Sequence, residues 1–126
     1  MALLRILIVD DNQQFLDAAR NVLEQEGVTV VGVASTSAEA LRLAEEVRPD
    51  AILVDVDLGQ ESGFDLAQRL AAVGVPHVVL TSAYPEAELA DLIAASAAVG
   101  FVPKSRLSAR VVSDVLAGEG GRDLDA

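Results

Sequence analysis

The sequence predicts an α/β domain built on one parallel sheet of five strands. Three observations predict it: five short apolar runs, helical periodicity after each of them, and acidic or hydroxyl residues where several runs stop. Residues 3–9 form an apolar run broken only by Arg5 and ended by Asp10 and Asp11. Continuous runs of this length suit a strand buried on both faces. Asn12 is placed to cap a first helix, in which Phe15, Leu16, Ala19, Val22 and Leu23 recur at helical spacing up to Gly27. Residues 28–33 make the second strand. Ser35, Thr36 or Ser37 caps a second helix carrying Ala38, Leu41, Ala44 and Val47, which stops before Pro49. The third strand, 51–54, delivers Asp55 at its carboxyl end. After the loop DVDLGQESG comes a third helix with Phe64, Leu66, Ala67 and Leu70, ending near Gly74. A fourth strand over 75–80 ends in Thr81-Ser82, and a fourth helix follows over 85–95 with Pro85 in its first turn. The fifth strand, 99–102, leads into Pro103-Lys104. A last helix over about 107–116 presents Leu107, Val111, Val112 and Val115. Residues 1–118 therefore read as one domain, and 119–126 as a flexible tail or the start of a linker.

Composition narrows the function. The chain has 126 residues, 52% of them hydrophobic and 23% charged, enough to bury a core within one ordinary domain. Its 20 acidic and nine basic residues give a net charge of -11, which disfavours direct contact with nucleic acid or an anionic membrane. It has no cysteine and a single histidine, which excludes disulfide scaffolds, thiolate sites and multi-histidine zinc sites. No apolar run approaches the ~20 residues of a membrane span. The opening MALLRILIVDD turns acidic before any cleavage site, so a cytoplasmic protein is expected.

Open parallel sheets bind their ligands at the carboxyl ends of the strands, and that rule selects Asp10, Asp11, Asp55, Thr81 and Lys104. Any one of them has an ordinary explanation. Paired aspartates favour a helix start, an aspartate after ILV marks a strand boundary, and a threonine caps a turn. Together they bring several carboxylates to one sheet edge, where like charges cost several kcal/mol unless neutralised. A hard divalent cation with oxygen ligands removes that cost, and magnesium suits so few carboxylates. Lys104 is the only lysine; the other eight basic residues are arginines. A compact ammonium there can pair with Asp55 or with an added anion. The set describes a magnesium-dependent phosphoryl site with Asp55 as nucleophile.

The segments ILIVDD at 6–11, ILVDVDLGQESG at 52–63, VVLTSA at 78–83 and GFVPKS at 100–105 resemble a response-regulator receiver domain of bacterial two-component systems, over essentially residues 4–117. The resemblance implies a flavodoxin-like (βα)5 domain of strand order 2-1-3-4-5. It implies Asp55 as phosphoacceptor and magnesium held by Asp10, Asp11 and Asp55, Asp11 more directly than Asp10, with a further ligand from the Asp57 carbonyl. Lys104 and Thr81 would contact the phosphoryl group, and Phe101 would be the aromatic that moves with Thr81. A sensor histidine kinase or histidine phosphotransfer protein would be the donor. The surface formed by the fourth helix, fifth strand and fifth helix would meet an output domain, a partner or a second copy. A DNA-binding output domain could lie outside this acidic segment.

The sequence departs from the family's pattern at several points. Asp57 is acidic where a neutral side chain is common, which predicts an effect on dephosphorylation. Leu58-Gly59 replaces Met-Pro and predicts a looser loop, while Gly63 matches as a small or positive-φ residue. Ser82 adds a hydroxyl beside Thr81. Ser105 stands where proline is frequent, so a cis peptide after Lys104 would carry the non-proline penalty of ~2.5–4 kcal/mol. His77, Tyr84, Arg106 and Arg110 read as packing or surface residues, the last three near the signalling face. Two other functions compete: a phosphate-independent interaction module on the same fold, and a magnesium-dependent phosphatase of the haloacid dehalogenase kind. The second has its Asp-x-Asp on the first strand, whereas DVD lies on the third here.

Overall fold

A computed structural model describes residues 4–118. Seven strands and five helices follow in order: β1 (Arg5–Val9), α1 (Gln13–Gln25), β2 (Thr29–Ala34), α2 (Ser37–Val47), β3 (Ala51–Asp55), β4 (Asp57–Leu58), β5 (Glu61–Ser62), α3 (Gly63–Ala72), β6 (Val78–Ser82), α4 (Glu86–Ala95), β7 (Gly100–Pro103) and α5 (Ala109–Leu116). Five of the strands form one sheet in the order β2-β1-β3-β6-β7, every neighbouring pair parallel. Because β4 and β5 are a separate two-residue hairpin, β6 and β7 are the fourth and fifth strands of the sheet, and the expected order 2-1-3-4-5 holds.

The unbroken apolar runs follow from burial on both faces, since successive strand residues point opposite ways. Leu7, Val9, Ile52, Val54 and Leu80 pack with Ala40, Ala44, Leu66 and Leu70 of α2 and α3. Ile6, Ile8, Leu53 and Val79 pack on the other face with Leu16, Ala19 and Leu23 of α1 and Val112 of α5. The polar interruption Arg5 has its own task. Its guanidinium donates to the carbonyls of Val47 and Arg48, both at 2.7 Å, and so satisfies the exposed end of α2.

Several boundaries differ from the sequence reading for local reasons. Thr36, one of three candidate caps, accepts from the Glu39 N–H at 3.1 Å. The buried stripe of α2 is Ser37, Ala40 and Ala44, while Ala38 is exposed. Pro85 is the N-cap of α4 rather than a residue of its first turn, and Ser108 caps α5, whose start moves to Ala109. Lys104–Arg106 instead make a 3-10 turn. No cis peptide occurs among the described residues, so the bond after Lys104 is trans, the form preferred where no proline follows. The expected tail, 119–126, lies outside the described residues.

Candidate functional site

Three carboxylates converge at the carboxyl edge of the sheet. Asp10 follows β1 and Asp55 ends β3; both are buried, at 0% and 5% exposure, whereas Asp11 faces outward. One oxygen from each lies within 4.8 Å of the others. Asp10 Oδ1 accepts the Asn12 N–H at 2.9 Å. Its Oδ2 is 2.7 Å from Lys104 Nζ, a close ion pair. Lys104 reaches back from the turn after β7 and donates to Asp55 Oδ2 at 3.2 Å.

Charge and burial pull against each other here. Burial pushes the Asp55 carboxyl up from 3.8 to about 6, and the neighbouring Asp10 carboxylate adds to the rise. The Asp57 N–H and the Lys104 ammonium favour the ionised form without prevailing. For Lys104, burial disfavours the charge, but Asp10 and Asp55 outweigh it and hold its pKa above 10.5. Asp10 and Asp55 thus share one ammonium, and Asp11 beside them has no ion pair with it. An all-oxygen donor set of three carboxylates with residual negative charge fits a divalent metal ion.

The segment after β3 shapes the rim. The Asp57 N–H donates to Asp55 Oδ1 at 3.3 Å, and Asp57 Oδ1 accepts the Gly59 N–H at 3.0 Å. The Asp57 carboxylate therefore closes a turn in its own loop. The sequence predicts a loop over 57–62, yet Asp57 pairs with Ser62 and Leu58 with Glu61. Glu61 also accepts the Ser37 N–H at 2.8 Å, tying this hairpin to the start of α2. Gly59 has φ +75, and a Cβ there would lie 3.1 Å from Asp11 Oδ2. Gly63 matters for size rather than positive φ: a Cβ would overlap the Asp55 carbonyl and approach Val56 Cα to 2.7 Å.

Of the other predicted residues, Thr81 is the register partner of Asp55, and Ser82 and Ser105 lie near Lys104. Thr81 is fully buried and its Oγ1 has no partner. Ser82 is buried too, and its hydroxyl accepts the Tyr84 N–H at 2.9 Å, so it is turned to the loop backbone. Phe101 is only 8% exposed and packs in the core on the α3 side. Ser105 is exposed, as is Arg106, and both line a cleft with Ser82, Tyr84 and Lys104. His77 precedes β6, at the opposite end from the cluster. Sequence reasoning missed two neighbours of the site. Phe15 was assigned to the helix core, but its ring lies 4.4 Å from Lys104 Nζ; Glu61 had no signal at all.

The acidic cluster and its Lys104 ion pairs fit a receiver-domain phosphorylation switch, and the comparisons agree. The family model for the response regulator receiver domain matches residues 6–115. The regulator BvgA of Bordetella pertussis is 30% identical over 101 residues, covering 79% of this chain and 48% of BvgA. The transcriptional regulatory protein PdtaR of Mycobacterium tuberculosis is 28% identical over 100 residues, covering 79% and 49%. An uncharacterized response regulatory protein of Yersinia pestis is 33% identical over 85 residues, covering 67% and 36%. The chain thus spans half or less of the curated relatives it matches. Among solved structures, the signal receiver domain of NarL from Mycobacterium tuberculosis superposes with a TM-score of 0.81 at 28% identity, covering 97% of this chain and all of that one. A two-component response regulator of the LuxR family from Aurantimonas gives 0.80 at 27% identity, covering 96% and 88%. With its strand order, its acidic edge and a family match over nearly its whole length, the chain belongs to the response regulator receiver domain family.

Proposed function

We propose that this domain is a phosphorylatable switch that takes a phosphoryl group from a phosphohistidine onto Asp55 with magnesium bound. The observation that carries the reading is the shared Lys104 bridge between buried Asp10 and Asp55, next to a buried Thr81 hydroxyl that has no partner. Asp10, Asp11 and the Asp57 carbonyl would hold the ion, which supplies charge neutralisation at the transferring oxygens. Asp55 is the nucleophile: one carboxylate oxygen forms the bond to phosphorus as the bond to the donor nitrogen breaks. Lys104 compensates charge on the new acyl phosphate, and Thr81 donates to one of its oxygens. Added charge of roughly -1.5 to -2 then draws these groups and Phe101 toward a second arrangement.

Response regulators as a family work with histidine kinases or histidine phosphotransfer proteins, and one of these is the proposed donor. α4 is the element best suited to respond. It buries no residue fully, has no side-chain cap, and leaves Leu92 at 55% exposure with Val99 beside β7 at 47%. We assign the output surface, and any homodimer contact, to α4, β7 and α5, within one receiver unit of residues 1–118. No helix among the described residues is long and apolar enough to cross a membrane. The test is intact mass after incubation with acetyl phosphate or a phosphorylated donor kinase. One added phosphoryl group, dependent on magnesium and absent in Asp55→Asn, is expected; no adduct from either donor would sink the reading in favour of a phosphate-independent module.

A further inference from the structure

Lys104 has a third neighbour besides its two carboxylates: Nζ lies 4.4 Å from the centroid of the Phe15 ring. The contact belongs to a closed circuit. Asp10 Oδ1 accepts the Asn12 N–H at 2.9 Å, and Asn12 Oδ1 accepts the Phe15 N–H at 3.1 Å. The Phe15 ring meets Lys104, which returns to Asp10 Oδ2 at 2.7 Å. The helix cap therefore ties the root of Phe15 to the same aspartate that Lys104 pairs with.

The ammonium has an alternative. A cleft of about 540 Å³ opens beside it, walled by Phe15, Ser82, Tyr84, Pro103 and Arg106, and the Lys104 side chain is 19% exposed. A four-carbon stem can swing its charge into such a space to recover hydration. An aromatic face attracts a cation through its quadrupole, and the attraction grows as the cation is desolvated.

We propose that Phe15 is a positioning residue of the phosphoryl site: its ring face holds the Lys104 ammonium in the bridge between Asp10 and Asp55 and out of the adjoining cleft. The proposal rests on Asp55 being the acceptor. Phe15 also packs against the core between α1 and α5. Packing alone predicts that any apolar side chain of similar volume would serve; the hold on Lys104 requires a ring with an electron-rich face.

The single lysine makes the test direct. Selective 13Cε-lysine labelling gives one side-chain resonance, and protons above a ring face are shifted upfield. The comparison is between the wild-type chain, Phe15→Leu, Phe15→Tyr and a site-specific series of fluorinated phenylalanines at position 15. Each is measured for the Lys104 resonance, the rate of phosphorylation by acetyl phosphate with magnesium, and Tm. Phe15→Leu is expected to lose the upfield shift and to slow phosphorylation about three- to tenfold, given the usual strength of such contacts. Phe15→Tyr recovers most of that loss, and the rate falls stepwise with fluorine number. An unchanged rate in Phe15→Leu overturns the proposal, as does a rate that follows Tm but ignores fluorination. Failure of the wild-type chain to take up phosphate under any donor would refute the acceptor reading instead. In that case the Lys104 resonance still decides: no difference between wild type and Phe15→Leu removes the hold itself.

Discussion

Asp55 and Thr81 are register partners in the ladder between β3 and β6, and the Val56 N–H donates to the Thr81 carbonyl at 3.0 Å. The backbone thus carries a buried hydroxyl with no partner to the side of the Asp55 carboxylate. A buried polar group left unsatisfied costs about 1–3 kcal/mol. Thr81→Val keeps the branched shape and removes that group, so the unphosphorylated domain should gain about 1 kcal/mol, or several degrees in Tm. The extra stability conferred by magnesium with beryllofluoride should shrink in the same variant. Calorimetry with and without the analogue checks both; a lower Tm in the free variant would mean that Thr81 is already satisfied.

The raised pKa of Asp55 has a definite sign in stability. Between 3.8 and about 6 the folded form binds more protons than the unfolded chain. Stability from this group is therefore fully present below pH 3.8 and is lost as pH rises through about 6. Asp55→Asn removes the titration and one of three crowded carboxylates. At pH 7 without metal it should be more stable than wild type by about 1–3 kcal/mol, with a flatter profile between pH 4 and 7. Urea unfolding at a series of pH values in EDTA measures the difference. Equal profiles would show that Lys104 already neutralises the pair.

Metal binding should be visible as stabilisation before any phosphate is added. At ten times its Kd, an ion that binds only the folded state adds ~1.4 kcal/mol. Asp11 is exposed, so Asp11→Asn should alter the metal-free Tm by no more than about 0.5 kcal/mol equivalent while abolishing the magnesium-induced rise. EDTA should return the wild type to the level of the variant. A magnesium response that survives Asp11→Asn would move the ion away from this edge.

The readable parts of the molecule are those where one force dominates. Ile6 to Val9 and Ile52 to Val54 are apolar without a break because both faces are covered, so strands, order of elements and terminal aspartates could be taken from the sequence. On α2 the reading holds for Leu41 and Ala44, but it puts Ala38 on the buried face and omits Ser37 and Ala40, small residues whose burial reflects close approach of the helix, not hydrophobicity. The hairpin of Asp57–Leu58 with Glu61–Ser62 is too short to show a period, and its link through Glu61 to Ser37 spans 24 residues. Phe15 was hidden for the opposite reason. Its place in the helical pattern explains it fully as core, and only the fold brings the Lys104 ammonium, 89 positions along the chain, over its ring.

Gly59 tests what replaces the stiffness that a proline would give this loop. At φ +75 its backbone is closed to proline, which is locked near -65°, and its N–H is needed by Asp57 Oδ1 at 3.0 Å. Restoring the family's common residue by Gly59→Pro should therefore destabilise the domain by about 2–3 kcal/mol. The turn that aims the Asp57 carbonyl would be lost with it, so magnesium affinity should fall as well. Gly59→Asn is the control, because asparagine tolerates this conformation at about 1 kcal/mol and keeps the N–H. Its Cβ would still crowd Asp11 Oδ2, at 3.1 Å. Magnesium titration should consequently rank wild type above Asn and Asn above Pro. If Pro proved as stable as wild type and bound magnesium as well, the 57–62 hairpin would have to rearrange freely, and its two-residue ladder could not be what holds the rim of the site.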